Sequence, residues 1–151
     1  ALSDSVGTTN FFINEFSPAS SMLKLSSRGK LSSPLAHYTK VKINKTTLDT
    51  YFKKIKLEGR VLLKIDVQGA ELQAIQGAID TLKRTAAVHI EVSIQSLYQG
   101  DTIGYKIWEL LVENGFTLYG MDPWFRDPKA NGELLQCDFF FIKNNLLTNN
   151  L

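Results

Sequence analysis

The sequence predicts an α/β domain whose parallel strands are closed by an antiparallel C-terminal hairpin. Three observations predict it. The apolar run Val61-Leu62-Leu63-Lys64-Ile65 is followed by Leu72, Ile75, Ile79 and Leu82 at helical spacing. A second pair repeats the alternation: Ala86 to Val92 is apolar, and Ile103, Ile107, Leu110 and Leu111 then stripe one helical face. Two last apolar runs, Phe116 to Met121 and Leu135 to Ile142, have no helical pattern between them. Strand, helix, strand, helix, strand implies right-handed crossovers and parallel pairing, whereas a strand returning without a helix folds back antiparallel.

The elements follow in order. Residues 1 to about 45 form a strand-rich insertion, heavy in Ser, Thr and Asn, with strands near 9–14 and 38–45. In the second of these Val41 and Ile43 alternate with Lys40, Lys42 and Asn44, the period of a strand with one wet face. Thr46 or Thr47 is a fair N-cap for a short helix through Leu48, Tyr51 and Phe52. The α/β core covers 46–143. Its first strand, 61–65, has the composition of an interior strand covered on both faces. A helix from about 70 to 84 comes next. Asn114-Gly115 stops the helix that precedes the third core strand. Residues 122 to 135 read as a loop, with Pro123, Pro128 and Gly132, and the polar tail from Lys143 onward is expected to fray. The 151 residues are thus one domain.

The composition excludes several classes of function. Seventeen basic against fifteen acidic residues give a net charge of +2, too weak a field to draw nucleic acid or anionic lipid. No run approaches the roughly 20 apolar residues of a membrane span. Cys137 is the one cysteine, so no internal disulfide forms, and a reducing, cytoplasmic setting is expected. Two histidines and one cysteine lack the spacing of a zinc site, and no metal is expected; three carboxylates converging on Mg²⁺ are the alternative. Gly-x-Gly, Walker-type and Gly-x-Ser-x-Gly elements are absent.

What chemistry the residues offer lies at the C-terminal ends of the core strands, where open α/β sheets bind ligands. Asp66 ends the first core strand, and Glu91 sits near the end of the next. Gly69 permits a tight turn, and Glu71 falls in the first turn of the helix, where an acid also simply complements the dipole. Asp66 has its own bland reading as a cap of that helix. Glu91, inside an apolar strand, needs a partner, because an unpaired buried carboxylate costs several kcal/mol; His89, Lys64 or a ligand group would serve. His89 points to the same face as Glu91. Tyr119, Trp124 and Phe125 flank the Asp122-Pro123 turn as a substrate lip, a dimer contact or local packing.

Taken together, Ile65-Asp66-Val67-Gln68-Gly69-Ala70-Glu71 and Ile90-Glu91-Val92 resemble the FkbM family of S-adenosylmethionine-dependent methyltransferases. Ala1-Leu2-Ser3-Asp4 with Gly7, Phe11-Phe12-Ile13-Asn14, Asn114-Gly115-Phe116 and Asp138-Phe139-Phe140-Phe141 fit the same pattern. The resemblance implies a partial Rossmann-like class I methyltransferase fold, with S-adenosylmethionine as cofactor and a hydroxyl of a sugar or secondary metabolite as acceptor. It places Leu2, Ser3, Asp4 and Asp66 on the cofactor side. Asp66 is the first candidate for base or acceptor orientation, Glu91 the second, with Glu71 supporting. Gln68, His89 and Trp124 are the expected acceptor contacts. Gln68 stands where the family has Glu, which removes one carboxylate. The family's glycine-rich loop falls upstream of Ala1, so the chain is expected to be the C-terminal portion of such a domain, inactive alone. Its exposed Val61–Ile65 edge would favour a homodimer. The competing reading is a non-catalytic α/β module that binds a ligand or partner through the Tyr119–Phe125 loop.

Overall fold

Alternation of apolar and polar side chains sorts the strands into two sheets. In a computed structural model, which describes residues 1–32, 37–55 and 58–147, β1 (Gly7–Asn14) and β2 (Tyr38–Lys45) pair antiparallel as a sheet of their own. Between them lie a short 3₁₀ turn, Ser17–Ala19, and α1 (Ser27–Ser32). Helix α2 (Leu48–Phe52) begins at Thr47, whose hydroxyl accepts the Thr50 N–H at 2.9 Å, as the capping argument anticipates.

The larger sheet contains β3 (Val61–Ile65), β4 (Thr85–Ser93), β5 (Phe116–Asp127) and β6 (Glu133–Lys143), in the order β3-β4-β6-β5. Strand β3 runs parallel to β4, while β6 is antiparallel to both β4 and β5. The domain is therefore α/β with the expected C-terminal hairpin, but its larger sheet is mixed rather than mostly parallel. The crossover through α5 (Gly104–Glu113) carries the chain one strand beyond β4, and β6 returns into the gap.

The core lies on one face of this sheet. Leu63, Ile65, Val88, Ile90, Val92, Phe139 and Phe141 pack against Ala74, Ile75, Leu82, Ile107 and Leu111 from the helices. Strand β3 is not covered on both faces among the described residues: it lies at the sheet edge, and Leu62 is 66% exposed.

Three boundaries differ from expectation, each for a local reason. The single helix over 70–84 is two, α3 (Glu71–Gln76) and α4 (Ile79–Leu82), broken at Gly77. There the N-terminal segment packs so closely that a Cβ on Gly77 would lie 2.0 Å from the Ser3 carbonyl oxygen. The loop expected over 122–135 is only the turn 128–132. Pro123 is accommodated because β5 is an edge strand with a register shift between Asp122 and Phe125. Asp127 closes the turn, accepting the Lys129 N–H on its carboxylate and the Ala130 and Gly132 N–H groups on its carbonyl. Finally, Lys143 ends β6 and Asn144–Leu147 forms α6 rather than a frayed tail; 148–151 lie outside the described residues.

Candidate active site

Strand β3 ends at Ile65, and the next four residues make the turn that builds the site. Gln68 and Gly69 both take left-handed backbone angles, φ +54° and +92°. For glycine this is ordinary. For Gln68 it costs about 1 kcal/mol or more, and such conformations persist only where the surroundings fix them. Here they are fixed by several hydrogen bonds. Glu71, 2% exposed, accepts the N–H groups of Val67 at 3.1 Å and Gly69 at 3.0 Å on its Oε1. The Ser21 hydroxyl donates to the Gln68 carbonyl at 2.6 Å. Gly69 itself is needed, since a Cβ there would sit 2.8 Å from the Tyr98 ring.

The turn aims the Gln68 carboxamide between two acids. Its Nε2 donates to Asp66 Oδ1 at 2.7 Å and to Glu91 Oε2 at 3.0 Å, and its Oε1 accepts the Tyr98 hydroxyl at 2.8 Å. Gln136 on β6 donates to the same Glu91 Oε2 at 2.6 Å. Glu91 therefore has two amide donors on one oxygen, while its Oε1 has no hydrogen-bond partner among the described residues. Burial, then the charges of Asp66, Glu71 and Asp138, push the Glu91 carboxyl up to about 7. Burial likewise raises Glu71 to about 7, against the pull of its backbone donors. Burial and the Glu91 charge raise the Tyr98 phenol, which stays a donor.

Two cavities share Gln68 in their linings. One, of about 380 Å³, has Phe16, Leu25, Leu97, Tyr98, Trp124 and Phe125 in its walls and Gln68, Glu91 and Gln136 at its polar end. The other, of about 360 Å³, is lined by Ala1, Leu2, Phe11, Pro18, Met22, Asp66 and Val67 among others. Gln68 and Pro18 line both.

The expected site residues thus separate by place. Asp66, Gln68 and Glu91 are joined, Trp124 walls the first cavity, and Leu2 walls the second. Glu71 lines neither; its carboxylate clamps the turn. Ser3 is buried beside Gln73 and Asp4, and Asp4 interacts with Lys45, so neither lines the second cavity. His89 lines neither cavity: its Nε2 lies 2.9 Å from Asp138 and its ring stacks on Phe140. The Glu91 partners are the two glutamines, not His89 or Lys64; Lys64 pairs with Asp66 at 3.2 Å. Tyr98 and Gln136 are contributors that the sequence does not single out. Gln136 carried a usable signal, a polar residue inside an apolar strand, the same one that marked Glu91. Among the described residues no three His, Cys, Asp or Glu side chains gather as metal ligands, and no helix is long and apolar enough to cross a membrane.

An α/β sheet that brings Asp66, just past the end of β3, and Glu91, near the end of the adjacent β4, onto one carboxamide has its acids where open α/β sheets bind ligands. Residues 1–118 match the Methyltransferase FkbM domain, and the chain belongs to that family. It is 35% identical over 71 residues to 2-O-methyltransferase NoeI of Sinorhizobium fredii (strain NBRC 101917 / NGR234). That match covers 47% of this chain and 29% of the relative. No solved structure matches the chain.

Proposed function

We infer that these residues form part of the active site of an enzyme that moves a methyl group from S-adenosylmethionine to a hydroxyl oxygen of a sugar or similar metabolite. The family supports methyl transfer, and the observation that carries the finer reading is Gln68, which lines both cavities and whose carboxamide bonds Asp66 and Glu91. Donor and acceptor need adjoining chambers with the reacting atoms at the junction, because in-line alignment is the main service such a site performs.

The second cavity suits the donor. Leu2, Phe11, Met22 and Val67 offer apolar faces to an aromatic base, and Asp66 offers a carboxylate to a cation. S-Adenosylmethionine supplies an already activated methyl group. The chain's own residues then hold the acceptor and manage its proton. Asp66, with one oxygen on Gln68 and the other on Lys64, is the first candidate to orient or deprotonate the hydroxyl. Glu91 is the second, through the oxygen its glutamines leave free. Removing a proton acceptor of this kind costs about 10²–10⁴-fold in rate. Glu71 supports both by holding the turn.

The test uses the full-length protein. Asp66→Asn should lower turnover by about 10²–10⁴-fold with the fold retained by circular dichroism. Turnover close to wild type would remove Asp66 from the reaction.

A further inference from the structure

The acceptor cavity has an uneven chemistry that narrows what enters it. Its walls are aromatic and aliphatic, with Trp124 and Phe125 tilted 32° to each other at a centroid distance of 5.4 Å. Its polar end holds two carboxamides and one carboxyl, and among the described residues no Lys, Arg or His lines it. Gln68 has spent both N–H bonds on Asp66 and Glu91 and one lone pair of its oxygen on Tyr98, so it has no donor left for a ligand. Glu91 and Gln136 are the groups with capacity to spare. Glu91 is 6% exposed and has Oε2 fixed by two amides, so the unpartnered Oε1 is its one oxygen left for a ligand hydroxyl. The local charge is negative as well, with Asp66, Glu71 and Asp138 acting on Glu91.

Resting on the methyl-transfer reading above, we propose that this cavity takes an uncharged ring with hydroxyls on one edge and an apolar face, and refuses rings carrying a carboxylate, sulfate or phosphate. The apolar C–H face lies against the Trp124 and Phe125 side, and a ring hydroxyl meets Glu91 Oε1. An anionic substituent gains nothing here: no cation among the described lining residues compensates its lost hydration, and Glu91 repels it at short range.

Binding needs no methyl donor, so the experiment separates this inference from the reading it rests on. Amide and indole NMR shifts of the chain are followed during titration with a panel of neutral methyl pyranosides. Each is paired with the uronate that differs only in a C6 carboxylate. At least one neutral glycoside should shift the Trp124 indole and the Gln136 carboxamide, and its uronate should bind at least about tenfold more weakly at pH 8. Glu91→Gln, which keeps the shape without the charge, should shrink that ratio toward one. Trp124→Ala, at a half-exposed position, should weaken the neutral ligand at least about tenfold without unfolding the chain. No shift with any neutral glycoside overturns the proposal, as does a uronate that binds as well as its partner. Binding with the expected charge ratio, in a full-length protein that transfers no methyl group, would leave this inference standing and the proposed function refuted.

Discussion

Glu71 offers the sharpest check on how the site is held. Glu71→Ala strips the acceptor from two backbone N–H groups, those of Val67 and Gly69, in a turn where Gly69 is buried. Each orphaned donor costs about 1–3 kcal/mol, so the substitution should destabilise the chain by about 2–6 kcal/mol. That is a large share of the 5–15 kcal/mol typical of a domain. Glu71→Gln keeps a carbonyl oxygen for the same two donors and should cost about 1 kcal/mol or less at pH 5. The pH dependence supplies a second arm. Burial raises the folded-state carboxyl from 4.5 to about 7, so between those values the folded chain binds the proton more strongly than the unfolded one. Stability is then fully present below about pH 4.5 and falls as pH rises through 7, by on the order of 3 kcal/mol for this group. Glu91, raised in the same direction to about 7, adds a fall over the same window. Urea denaturation followed by circular dichroism at pH 5 and pH 8 reads all of this. Wild type should lose stability toward pH 8, and Glu71→Gln should lose roughly half as much, retaining only the Glu91 share. Glu71→Ala within about 0.5 kcal/mol of wild type, or wild-type stability that rises from pH 5 to pH 8, would refute the clamp.

Other expectations follow from close approaches and from the acids. Gly69→Ala combines φ +92° with a Cβ 2.8 Å from the Tyr98 ring, and should cost about 2–4 kcal/mol in urea denaturation. Gly77→Ala drives a methyl into the Ser3 carbonyl at 2.0 Å; it should release the 1–3 segment, seen as faster amide exchange at Ser3 and Thr46, whose N–H groups tie that segment to residue 46. Protected amides there would mean that the segment is held by other contacts. Thr47→Ala removes the cap of α2 and should cost about 1 kcal/mol. If Glu91 accepts the acceptor's proton, turnover of the full-length protein should rise with pH through about 7, and Glu91→Gln should abolish that limb.

Much of this was legible in the residues, and the remainder was hidden for physical reasons. The period of the apolar positions revealed the strands and α5, and the cap of α2 was narrowed to Thr46 or Thr47, of which the structure uses Thr47. The family resemblance rested on Asp66, Gly69 and Glu71, a spacing that the turn requires: an acid at the strand end, a left-handed glycine and a carboxylate to hold their amides. The need for glycine at 77 was invisible because the group it makes room for is Ser3, more than seventy residues away. The role of Gln68 was hidden too. Replacing a carboxylate with an amide looked like a loss, yet the amide supplies the N–H donors that let two acids sit beside one another. His89 shows the opposite error: its face was read correctly, but Asp138 and Phe140 across the sheet occupy its ring.

Methyl transfer by the full-length protein tests the central claim most directly. With S-adenosylmethionine carrying a labelled methyl group and a neutral hydroxylated ring as acceptor, the label should appear as an O-methyl ether on the ring. Transfer should fall sharply in the Asp66→Asn variant. Label that never leaves the donor across a panel of such rings, or that appears on carbon or nitrogen, would contradict the account.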